Sequence, residues 1–213
     1  MSDTESRFNK ARLEMLCDGI FTVAMTLLVL ELRPPDLPKQ SAPAVILHAL
    51  REHSLPFLAF TLTFMLAGGC WIMHHRMFQH IRGANRALVL LTIPFLMFVT
   101  LLPYSTSMLT AFGTRNPVGL TFYIGNQFVL SGLLAVQWLV AQRAGLLTGT
   151  ADDPDRRRIA RMILAQPVGF LVALVVALIS PENAMAAVAI SIGLAAGIAR
   201  RLDRPAGARQ PAS

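Results

Sequence analysis

The chain has 213 residues, of which 54% are hydrophobic and only 15% charged, against about 25% charged in an ordinary soluble domain. Its net charge of +7 sits at the ends of long apolar runs and not on one face. That excludes a nucleic-acid-binding domain and points to a polytopic chain whose partner is the lipid bilayer.

The apolar runs predict an all-α integral membrane protein with six transmembrane helices. The eleven residues before Arg12 are mostly polar, and no small-residue cleavage site follows the first apolar run, so no signal peptide is expected. The first span is expected at about 15–32 and carries Asp18 inside it. A carboxylate at that depth costs roughly 2.5–3.5 kcal/mol on insertion scales and needs a partner or water. Val23, Thr26, Leu27 and Leu30 form a stripe on the same helix, within one sector of about 100°, and Asp18 points away from it. Glu31 closes the span at its far end, and the prolines from Pro34 to Pro38 predict a helix stop and an extended loop.

The remaining spans are expected at about 55–74, 87–110, 119–141, 162–180 and 184–199. The third contains Pro94 and Pro103 and the fifth Pro167, which free backbone carbonyls inside the membrane. Segment 148–155 is a polar turn with helix-start residues, and the sixth span carries a Gly193–Gly197 pair suited to close helix contact. Residues 1–204 are thus expected as one transmembrane domain and 205–213 as a disordered tail. Fifteen of the 19 Lys and Arg residues fall on the side that holds both termini, which places both termini in the cytoplasm.

Depth limits the partners of Asp18. It lies six residues in from Arg12, and the second span runs the opposite way to end at Trp71, His74 and His75, with Asn85 just beyond. Arg12, Cys17, Asp18, Trp71, His74, His75 and Asn85 are therefore expected to share one level, as a structural polar cluster joining the first three spans. His74 and His75 project about 100° apart on a helix and cannot easily share a ligand, so no haem or metal is expected there. The two cysteines, Cys17 and Cys70, are read as small core residues. No nucleophile elbow, zinc-protease motif, phosphate loop or Thr-Val-Gly-Tyr-Gly filter occurs, so neither an enzyme, a cofactor, nor an ordinary potassium channel is indicated.

The residues Arg12, Cys17, Asp18, Gly19 and Phe21, followed by the run from Thr26 to Glu31, resemble the first-helix signature of one family. That family comprises the bacterial homologues of the lysosomal potassium channel called transmembrane protein 175. Leu16 stands where the family has Phe, and Cys17 where it has Ser. Trp71, His74, His75, Arg76 and Phe78 resemble the end of its second helix; Asn85 and the stretch from Phe98 to Thr106 resemble its third.

The resemblance implies a homotetramer of six-helix subunits that passes potassium ions through a pore lined by the first helix. Val23, Leu27 and Leu30 would be its hydrophobic constriction, Thr26 a polar layer beside them, and Glu31 the outer mouth. The bacterial inner membrane is the expected location. Two other readings stay open from the residues themselves: a proton-coupled carrier using Asp18 and His74, and a membrane assembly subunit without transport.

Overall fold

The computed structural model describes residues 10–52, 54–150 and 152–202, and the expected tail at 205–213 lies outside them. Eight α-helices follow in order: α1 (Lys10–Leu27), α2 (Pro43–Glu52), α3 (Ser54–Gln79), α4 (Arg86–Thr100), α5 (Leu102–Phe112), α6 (Pro117–Arg143), α7 (Pro154–Ile179) and α8 (Pro181–Leu202). A 3₁₀ turn, Leu28–Glu31, extends α1. Among the described residues no strand forms beyond one isolated bridge between Ile81 and Leu147.

Five segments are long and apolar enough to cross a membrane: Lys10–Glu31, Ser54–Gln79, Arg86–Phe112, Pro117–Arg143 and Pro154–Ile179. The sixth expected span falls within α8, which is helical but stands outside those five. The first span differs from expectation because regular α-helix stops at Leu27 and the chain tightens into the 3₁₀ turn. The helix of the fifth expected span, α7, begins earlier than expected, at Pro154, where the Asp153 side chain caps it by accepting from the Asp155 N–H at 3.0 Å. Helix α2 went unforeseen in the sequence.

The third span is two helices, not one. Pro94 sits inside α4 without ending it, whereas α4 closes at Thr100, three residues before Pro103. Proline lacks an N–H and crowds the carbonyl four residues earlier, here that of Val99. Thr100, Ser105 and Thr106 hydroxyls take up local carbonyls at Met97 and Leu102, at 2.8–2.9 Å.

Helix α6 is the centre of the bundle. Its half nearer Arg143 packs in one apolar cluster through Leu130, Leu134 and Trp138, together with residues of α1, α3, α4 and α7. Its other half packs through Leu120, Tyr123 and Ile124 in a second cluster with α5, α7 and α8. The close α5–α6 approach depends on Gly119, where an added Cβ would lie 2.6 Å from the Met108 carbonyl oxygen. At Gly193, by contrast, a Cβ would meet nothing within 4 Å among the described residues.

Candidate ion-conducting face and its polar anchor

The residue spacing of α1 gives it two opposed faces. Leu13, Cys17, Phe21 and Ala24, followed by Leu28 in the 3₁₀ turn, recur at three- and four-residue intervals and are all buried in the bundle. The opposite face is open: Val23 is 56% exposed, Leu27 43% and Leu30 66%, with Thr26 exposed among them. The four stripe residues therefore share the side of α1 and its 3₁₀ extension that is left open among the described residues. Glu31, at the end of the 3₁₀ turn, is half-buried.

Two threonines on α1 are set by local bonds. The Thr22 hydroxyl donates to the Asp18 carbonyl at 2.7 Å, and the Thr26 hydroxyl to the Val23 carbonyl at 2.8 Å. With its proton committed inside the helix, the Thr26 oxygen keeps its lone pairs for the open side. An oxygen that only accepts suits a cation and not an anion.

The polar residues near Asp18 divide into three groups. The Trp71 indole N–H donates to Asp18 Oδ1 at 2.8 Å, joining α1 to α3. Trp71 also stacks on His75, with ring centroids 5.8 Å apart and planes 19° apart, and His75 Nε2 lies 3.1 Å from Gln79 Nε2. His74 turns inward, as its offset from His75 requires. Its ring is stacked on Phe95 at 5.2 Å and lies 4.5 Å from Phe78 and 6.4 Å from Phe21. Its Nε2 has no hydrogen-bond partner among the described residues.

Among the described residues, the other members of the expected cluster make no hydrogen bond to the Asp18 carboxylate. Asn85 caps α4, its Oδ1 accepting from the Leu88 N–H at 2.9 Å, so its side chain serves its own helix. Cys17 is fully buried and Arg12 exposed. Among the described residues no hydrogen bond joins Asp18 to His74.

A second polar group was not foreseen. Thr63 on α3, Ser105 and Thr106 on α5, and Tyr123 and Asn126 on α6 are all buried together. Tyr123 and Asn126, three residues apart in an apolar span, were the available signal, since that spacing sets both on one side of a helix.

The family model described as the endosomal/lysosomal potassium channel TMEM175 matches residues 12–103, from the start of α1 through the break after α4. A potassium channel of Streptomyces collinus is 34% identical over 101 residues, which cover 47% of this chain and 48% of that protein. The endosomal/lysosomal proton channel TMEM175 of Bos taurus is 32% identical over 120 residues, 54% of this chain and 25% of that protein. The matched stretches thus span about half of the bacterial relative and a quarter of the bovine one. The crystal structure of a lysosomal potassium-selective channel TMEM175 homolog from Chamaesiphon minutus superposes with a TM-score of 0.73 at 25% identity, covering 91% of this chain and 98% of that one. Sequence over the first half and fold over nearly the whole length point the same way: residues 12–103 are similar to the TMEM175 family, and the helix bundle is similar to that of a bacterial TMEM175 homologue.

Proposed function

We propose that the chain forms a potassium-permeable cation channel of the bacterial inner membrane. Four copies of a six-span subunit, with both termini cytoplasmic, surround a pore lined by α1. The observation that carries this reading is the opposition of the two faces of α1: one is packed into the bundle, and the other presents Val23, Thr26, Leu27 and Leu30 to whatever lies outside the subunit. One helix cannot enclose a path, so that face becomes a conduit only through copies of itself. The potassium-channel names of the Streptomyces and Chamaesiphon proteins support the cation.

In this arrangement Val23, Leu27 and Leu30 form apolar rings that gate by dewetting, and the Thr26 hydroxyl oxygens offset part of a cation's lost hydration. Four Glu31 carboxylates at the outer mouth concentrate cations. Asp18, held by Trp71, fixes the azimuth of α1 and takes no part in conduction. The carrier alternative needs Asp18 and His74 to exchange a proton, and the aromatic box around His74 gives that exchange little support.

The test is purified protein reconstituted in planar bilayers with asymmetric potassium and sodium, alongside native mass measurement in nanodiscs. A tetramer whose reversal potential follows the potassium gradient is expected. A monomer that conducts, or a tetramer whose current follows neither cation, overturns the reading. Because the bovine relative is named a proton channel, a proton gradient is imposed in a separate arm.

A further inference from the structure

Three spans bury hydrogen-bonding side chains against the break in the third span. Thr106 Oγ1 donates to Thr63 Oγ1 at 3.0 Å and shares its proton with the Leu102 carbonyl at 2.9 Å. Thr63 Oγ1 also lies 3.1 Å from the Tyr123 hydroxyl. Next to Thr106, the Ser105 hydroxyl donates to the Leu102 carbonyl at 2.9 Å and accepts from Asn126 Nδ2 at 3.3 Å. Asn126 Nδ2 also reaches the Phe98 carbonyl at 3.4 Å, on the far side of the break.

Within this group of five side chains the hydrogen-bond accounting fails at one atom. Asn126 is 5% exposed, and its Oδ1 has no partner among the described residues. Turning the amide over does not cure this. It would set Oδ1 against the Phe98 carbonyl, which has no proton to give, and against Ser105, whose proton is already placed. Asn126 must therefore keep Nδ2 toward the break and aim Oδ1 elsewhere. Its two N–H bonds are at the long end of the useful range, so the amide is weakly held on that side as well. A buried acceptor left dry in a low-dielectric interior is expensive, and intramembrane proline breaks are places where ordered water restores lost bonds.

We propose that each subunit binds internal water at this break, with Asn126 Oδ1 as its anchoring acceptor. Neutral water fits the site better than an ion, because its known side chains, Thr63, Ser105, Thr106, Tyr123 and Asn126, include no carboxylate to pay for a dehydrated cation. The water lies one helix behind α1, since α5 also packs on the turn at Leu28–Glu31. It substitutes for ladder bonds that Pro103 removes, and lets the joint between α4 and α5 bend without exposing dry polar groups.

The experiment is radiolytic hydroxyl footprinting of the channel in lipid nanodiscs, read by mass spectrometry. Bound water makes buried side chains beside it reactive, so Tyr123 is expected to be modified about tenfold faster than Phe170, which is buried on α7. Asn126→Leu is expected to lower the Tyr123 rate about fivefold, and Asn126→Ser, which keeps an acceptor and adds room, to preserve it. A Tyr123 rate equal to that of Phe170 in the wild-type protein overturns the proposal, as does a Tyr123 rate unchanged in Asn126→Leu. If Asn126→Leu does not fold, a high-resolution map of the wild-type protein decides. A density peak within about 3.2 Å of Asn126 Oδ1 supports bound water, and an empty map at that point rejects it.

Discussion

The indole N–H of Trp71 meets Asp18 Oδ1 at 2.8 Å across α1 and α3, and it does so on a side of the subunit where Trp71 is still 36% exposed. The bond fixes the rotation of α1 about its own axis, and thereby which residues the helix presents outward.

Breaking that bond is expected to cost stability before it alters permeation. Because the pair is part-exposed, Asp18→Asn and Trp71→Phe should each lower stability by about 1 kcal/mol. The double variant should lose less than the sum of the two. Thermal unfolding of the four proteins in one detergent measures the coupling. Strict additivity would show that the bond does not tie the helices.

On the open face of α1, Leu27→Ala should increase current, because a wider and less apolar neck wets more readily. Thr26→Val should shift the potassium-to-sodium permeability ratio while leaving assembly unchanged. Leu28→Ala behaves differently, although it lies beside Leu27 in sequence. Leu28 is fully buried, so the loss opens a cavity and costs about 2–5 kcal/mol of stability. Bilayer recordings and melting curves on the same preparations separate the two effects. Unchanged current and selectivity in tetrameric Leu27→Ala and Thr26→Val would remove α1 from the pore.

His74 offers a direct choice between channel and carrier. Its ring is one of four stacked or tilted aromatic rings, and its Nε2 is unpartnered. His74→Phe should therefore keep the packing and change stability by no more than about 1 kcal/mol. Potassium current should persist. Complete loss of transport in a well-folded His74→Phe protein would restore the carrier.

At Gly119 the packing leaves no room for a methyl group. Gly119→Ala places Cβ 2.6 Å from the Met108 carbonyl oxygen and 3.1 Å from Phe112 Cβ, so α5 and α6 must separate. A loss of about 1–3 kcal/mol is expected, seen as a lowered melting temperature. Gly125→Ala, on the same helix with nothing within 4 Å, is the matched control and should be tolerated.

Much of this architecture is legible in the order of apolar runs, because membrane thickness sets helix length and α1 repeats its buried residues at helical spacing. Depth, however, is only one coordinate. It places Trp71, His74, His75 and Asn85 on a level with Asp18 but does not say which way each side chain turns. Asn85 went to its own helix cap, and His74 to an aromatic box. The break in the third span was ambiguous for a similar reason: Pro94 and Pro103 carry the same local signal, and only the packing around them decides which one interrupts the helix. Helix α2 is ten residues long, too short to register as a span, and it follows a proline-rich stretch that reads as loop.

The pairing of Ile81 with Leu147 has a mechanical consequence. The Arg82 N–H donates to the Leu146 carbonyl at 2.8 Å and the Thr148 N–H to the His80 carbonyl at 2.7 Å, so the α3–α4 and α6–α7 connections are stitched together. Four helices are clamped at that end of the bundle. Their opposite ends meet no comparable stitch among the described residues, and the break at Leu101 lies between the two ends. The subunit is thus built like tongs held at the rivet: thermal or ligand-driven displacement grows with distance from the stitched loops, and amide exchange should be slowest at Arg82 and Thr148 and quicken toward Phe112 and Val118.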